Sequence, residues 1–107
     1  MRVRLSQDAL IFLRQETRYL KRYSPAAARR LLAGIDDIRA SLSQFPRLGA
    51  RADESPVPGS RRLVLGDYVI NYDLNEDGIA ITAIRHGRMQ PDAPDPDEDF
   101  DYESEEP

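Results

Sequence analysis

RRLVLGDYVINYDLNEDGIAITAIR, residues 61–85, decides the fold. Two turn signals divide it into three strands. Gly66-Asp67 separates Arg61–Leu65 from Tyr68–Leu74, and Asn75-Glu76-Asp77-Gly78 separates that strand from Ile79–Arg85. Both turns carry the residue types that tight hairpin connections require. In the middle strand, Tyr68, Ile70 and Tyr72 fall on one face and Val69 and Asn71 on the other. The last strand alternates Ile79, Ile81 and Ala83 against Ala80, Thr82 and Ile84. Period-two alternation in β-branched and aromatic residues predicts an antiparallel meander with one face turned to a core.

Upstream of the meander the period changes. Ala28, Leu31, Ile35, Ile38, Leu42 and Phe45 recur at helical spacing, behind Ser24 as a cap and Pro25 at the first helical position. This predicts a helix over about residues 25–45, closed by Pro46 and Gly49. Ser6 and Asp8 begin an earlier helix over about residues 7–22, whose stripe runs through Ala9, Phe12, Leu13, Thr17 and Leu20. A link of about two residues makes the pair an antiparallel hairpin. Arg2–Leu5 alternates as a short strand expected to join the sheet, and the Pro- and Gly-rich stretch 47–60 reads as a loop. The predicted order is βααβββ, an α+β fold with a helical hairpin packed on a mostly antiparallel sheet. Leu31, Ile35, Ile38, Ile70, Tyr72 and Ile81 are its expected core.

The chain has 107 residues, the size of one domain, no Cys and a single His, His86. Disulfides, thiolate metal sites and His-rich metal sites are therefore outside its chemistry. No apolar run approaches the roughly 20 residues that cross a bilayer, and the N-terminus lacks the apolar stretch of a signal peptide, so a cytoplasmic protein is expected. Charge is segregated. Residues 1–90 carry 15 basic and 10 acidic side chains, a balance of +5, whereas residues 91–107 carry 9 acids and no base. The expectation is a folded unit over 1–90 and an acidic tail over 91–107, disordered in isolation.

Several segments together resemble the RelE/ParE toxins of bacterial toxin–antitoxin pairs. Arg61-Arg62-Leu63-Val64-Leu65-Gly66-Asp67-Tyr68-Val69-Ile70-Asn71-Tyr72 is similar to the family's Arg-x-Leu-x-x-Gly-x-Tyr-x-Ile-x-Tyr run, and Ile84-Arg85-His86-Gly87-Arg88 to its closing strand. Ser6 with Ala9, Ser24-Pro25-Ala26-Ala27-Ala28 and Phe45-Pro46-x-x-Gly49 resemble its helix starts and helix exit. The resemblance spans residues 1–89. It implies a RelE/ParE-like βααβββ fold, no cofactor, and a cognate antitoxin that wraps the toxin in a hetero-oligomer. It also implies one of two activities, mRNA cleavage on the ribosome (RelE-like) or inhibition of DNA gyrase (ParE-like).

Cleavage through a 2′-hydroxyl needs a base, an acid and cations around the phosphate. Arg61, Arg62, Arg85, His86 and Arg88 are the residues available for that work or for partner binding. Where RelE-like enzymes commonly place a further basic residue this chain has Met89, and where they continue into a basic or aromatic element it has carboxylates. Carboxylates beside an RNA phosphate are electrostatically unfavourable. The departure favours the ParE-like reading, a gyrase inhibitor rather than an enzyme. A ribosome-dependent endoribonuclease, or a non-toxic binding module of the same fold, stands as the alternative. Arg18, Lys21, Arg22, Arg29 and Arg30 cluster across the hairpin, with Arg39 farther along, as either a solvated face or a second partner-binding surface.

Overall fold

The computed structural model describes residues 1–87. In chain order they form β1 (Val3–Leu5), α1 (Gln7–Tyr23), α2 (Pro25–Gln44), β2 (Ala50–Arg51), β3 (Ser60–Leu65), β4 (Tyr68–Asn75) and β5 (Gly78–His86). The five strands make one sheet in the order β1-β5-β4-β3-β2. The meander pairs antiparallel, and β1 adds to its β5 edge in parallel, with Val3 opposite Ile79 and Leu5 opposite Ile81. The fold is α+β, with the helical hairpin against one face of the sheet, and helix and strand boundaries fall within a residue or two of those expected from the sequence.

Register shows why the hairpin covers the face it does. Leu65, Tyr68 and His86 lie in one cross-strand row, Leu63, Ile70 and Ile84 in the next, then Arg61, Tyr72, Ile81 and Leu5. Ile70, Tyr72 and Ile81 are fully buried, and Ala9, Leu31, Ile35 and Leu42 of the helices close over them. Gly34 marks the point where α2 comes near β3: a Cβ there would stand 2.8 Å from the Leu65 side chain.

Four expectations are corrected. The alternation of β5 breaks at Thr82. Asn71 faces Ala83 and Tyr72 faces Ile81, which leaves Thr82 as the extra residue of a bulge. Ile84, expected on the face opposite Ile81, therefore joins the core, and Ala83 turns away. The bulge also fixes α1, since the Ser6 hydroxyl donates to the Thr82 carbonyl (3.1 Å) and accepts from the Ala9 N–H (3.1 Å). In α1 the covered face takes Glu16 rather than Thr17, whose hydroxyl donates back to the Leu13 carbonyl at 2.7 Å. In α2 the stripe stops at Leu42: Ile38 is half-buried and Phe45 is 61% exposed, because the helix ends at Gln44 and the chain turns off the sheet.

The fourth correction concerns the loop after α2, which contains the short strand β2, paired with Arg61 and Arg62. Tyr72 holds this segment. Its hydroxyl donates to the Pro46 carbonyl (2.8 Å) and accepts from the Gly49 N–H (2.9 Å), while Arg61 donates to the Gly49 carbonyl (2.7 Å). Gly49 is thus more than a helix terminator. A Cβ there would meet the Arg62 carbonyl at 2.7 Å and the Tyr72 ring at 2.8 Å.

Ile35 is 3% exposed at the centre of this packing. Ile35→Ala is expected to lower stability by about 2–5 kcal/mol, as for other large-to-small changes in cores. Urea unfolding followed by far-UV circular dichroism measures it, with the change in midpoint at constant slope.

Candidate partner-binding site

Strand alternation divides the basic residues of the meander between two faces. Arg61 shares its row with the buried Tyr72, on the helix-covered side, whereas Arg62 pairs with Asn71 on the open side. Arg85 pairs with Val69 on the open side, and His86 pairs with Tyr68 on the covered side. Neighbours in sequence are separated by the thickness of the sheet, so Arg61, Arg62, Arg85 and His86 do not converge on one point. Arg88 lies outside the described residues, as does the acidic tail.

Each of these side chains has its own surroundings. Arg61 is held by the carbonyls of Gly49 and, at 3.4 Å, Arg47. Arg62 forms an ion pair with Glu54. Arg85 keeps its Nη1 buried without a hydrogen-bond partner among the described residues. Arg85 and Arg62, both half-buried, are the cations the meander carries on the face away from the helices, joined from β1 by Arg4 opposite Ala80.

His86 belongs to a cluster absent from the sequence reading. Glu16 of α1 is 9% exposed beneath it. The Tyr68 hydroxyl donates to Glu16 Oε2 at 2.6 Å, and His86 Nε2 lies 3.3 Å from the same oxygen, an ion pair when the imidazole is protonated. Phe12 meets both rings edge-on, with centroids 6.2 Å from Tyr68 and 5.9 Å from His86. Burial, followed by the hydrogen bond to Glu16 and the charges of Glu16 and Asp67, pushes the Tyr68 hydroxyl above the ordinary tyrosine range. A carboxylate removed from water needs such donors. The legible signal was an acid at helical spacing from Phe12, Leu13 and Leu20, overshadowed by the neighbouring Thr17. The cluster ties α1 to the ends of β4 and β5, and it holds the imidazole against Glu16.

The cations of the hairpin lie on either side of the helical bend. Arg18, Lys21 and Arg22 in the last turns of α1, and Arg29 and Arg30 in the first turns of α2, are all exposed. Between Thr17 and Arg30 the chain has no acidic residue. Tyr19 and Tyr23 stand exposed in the same region with rings 5.0 Å apart. Arg30 of this group also lines a groove of about 340 Å³ that runs between the helical bend and the β3–β4 turn, with Leu20, Leu31, Leu65 and Tyr68 among its walls. Arg39, farther along α2, donates to the Val3 carbonyl at 3.3 Å and stands apart from this cluster. Among the described residues, no helix is long and apolar enough to cross a membrane.

The sequence profile of the ParE toxin of the type II toxin–antitoxin system parDE matches residues 3–91. Among solved structures, a chain of the "Chromosomal ParDE TA system from P. aeruginosa" superposes with a TM-score of 0.63 at 24% sequence identity, over 80% of this chain and 95% of that one. At that identity the likeness concerns the fold. No curated protein matches the chain.

Tyr68→Phe removes the hydroxyl donor from a buried carboxylate and is expected to destabilise the protein by about 1–3 kcal/mol at neutral pH. The alkaline limb supplies a second readout. Because the hydroxyl titrates higher in the folded than in the unfolded chain, its stabilising contribution is complete below about pH 10 and declines as pH rises through the tyrosine range. Melting temperatures measured from neutral pH to about pH 11 should therefore fall more steeply for the wild type than for Tyr68→Phe.

Proposed function

We propose that this chain, which belongs to the ParE family of toxins of type II toxin–antitoxin systems, acts in the cytoplasm by inhibiting DNA gyrase and is neutralised by a cognate antitoxin in a toxin–antitoxin hetero-oligomer. The observation that carries the gyrase reading is the dispersal of the side chains that RNA cleavage would require. A general base, a general acid and phosphate-binding cations must reach one scissile bond together. Here Arg61 and His86 face the helices while Arg62 and Arg85 face away. His86 is engaged with the Glu16 carboxylate, and Arg62 with Glu54. Met89 supplies no cation, and the carboxylates that follow repel a phosphate. A protein that binds rather than cleaves needs no such convergence. Contact points suffice, and we assign partner binding to the exposed Arg18, Lys21, Arg22, Arg29 and Arg30 at the hairpin bend, to the half-buried Arg61, Arg62, Arg85 and His86 of the sheet, and to Arg88, which lies outside the described residues.

Ribosome-dependent mRNA cleavage is the competing reading, favoured only by the joint presence of Arg62 and Arg85 on the open face. Purified protein is expected to inhibit gyrase supercoiling or to trap cleaved DNA on the enzyme, and to leave ribosome-bound mRNA intact. Codon-specific mRNA cleavage in a translating extract, abolished by Arg85→Ala with His86→Ala, would overturn the proposal. The antitoxin half is checked separately. The product of a short adjoining reading frame should co-purify with the chain and restore supercoiling.

A further inference from the structure

We propose that the acidic segment 91–107 of this same chain docks on the basic end of the helical hairpin, with Phe100 and Tyr102 entering the groove between the helical bend and the β3–β4 turn. The proposal rests on charge and placement and is independent of the cellular target. Within two helical turns on either side of the bend, Arg18, Lys21, Arg22, Arg29 and Arg30 are exposed, with no acid in sequence between Thr17 and Arg30. Among the described residues none of the five has an ion-pair partner. Such a surface repels itself and attracts a polyanion. Residues 91–107 carry nine acids and no base.

The described chain ends beside this surface. The Gly87 N–H donates to the Asp67 carbonyl at 2.7 Å, and Asp67 lines the groove together with Leu20, Arg30, Leu31, Leu65 and Tyr68. Asp92 follows five residues later and Phe100 thirteen residues later. At up to ~3.6 Å per residue, thirteen residues reach about 47 Å. The two helical turns that carry the cations span only about 11 Å at 5.4 Å per turn. The apolar walls of the groove accept an aromatic ring. Exposed ion pairs are individually weak. Tethering compensates, because a short linker holds the tail at an effective concentration on the order of millimolar. That argues for the chain's own tail over a second copy at ordinary protein concentrations. An external acidic partner must displace the tail to use the same surface.

The chain has no Cys, so Ser104→Cys supplies a unique site for a nitroxide spin label. Paramagnetic broadening of amide resonances in the full-length protein then reports where the tail resides. At ionic strength near 0.01 M, where the Debye length is ~30 Å, amides of residues 18–30 and 65–68 are expected to lose at least half their intensity. The loss should disappear at 1 M salt, where the Debye length is ~3 Å. It should also disappear when the nine tail acids are changed to Asn and Gln, a variant that leaves the folded unit untouched. Phe100→Ser with Tyr102→Ser should selectively restore the 65–68 resonances. Broadening confined to residues 65–68 and 85–87 beside the tether and absent from 18–30, broadening centred on Arg62 and Arg85, or broadening only between spin-labelled and isotope-labelled molecules in a mixed sample would each overturn the proposal.

Discussion

Tyr72 has no exposed surface, and its hydroxyl is satisfied by the backbone on both sides, donating to Pro46 and accepting from Gly49. A buried phenol without such partners would be costly. With them, the central strand becomes the point from which the other elements take their positions. The ring sits in the row of Arg61 and Ile81 on the covered face, and the hydroxyl draws the chain leaving α2 back against β3. That return brings Ala50 and Arg51 into register with Arg62 and Arg61. The short strand has little pairing of its own; Tyr72, Arg61 and the absence of a side chain at Gly49 hold it in place.

The bulge at Thr82 is a second constraint that serves two purposes. It resets the alternation of β5, so that Ile81 and Ile84 both meet the core. Its carbonyl also accepts from the residue that caps α1, and the Ser6 N–H donates to the neighbouring Ile81 carbonyl at 2.8 Å. Helix and sheet are thereby joined at one end by backbone polarity. At the other end they are joined by the Glu16 carboxylate, which Tyr68 and His86 reach from adjacent strands. A carboxylate in that position would be a liability alone. Paired with a phenol and an imidazole under Phe12, it orients α1 across β5.

These constraints bear on function because they assign the cations to faces. The meander holds its basic residues in adjacent pairs, and a pleated strand must send the members of such a pair in opposite directions. Arg61 and His86 thus lie on the opposite face of the sheet from Arg62 and Arg85. The helical bend has no such restriction, since two antiparallel helices meet there, and Arg18, Lys21, Arg22, Arg29 and Arg30 are all exposed within two helical turns of it.

Much of the architecture was legible in the residues. The helical spacing from Ala28 to Leu42, the serine caps at Ser6 and Ser24, the two turns and the alternation of Tyr68, Ile70 and Tyr72 are local signals, and local periodicity suffices to specify which elements form and which face is apolar. The resemblance of residues 1–89 to RelE/ParE toxins was likewise carried by spacing along the chain. Tertiary structure alone decided the bulge at Thr82, the strand at Ala50–Arg51, the exposure of Phe45 and the burial of Glu16. In each case the deciding partner is distant in sequence: Ser6 for the Thr82 carbonyl, Tyr72 for Gly49, Tyr68 and His86 for Glu16. A side chain's own neighbours set its helical or extended period. Whether a polar group can be buried, or an apolar one left in solvent, depends on the donors, acceptors and surfaces that folding brings to it from elsewhere.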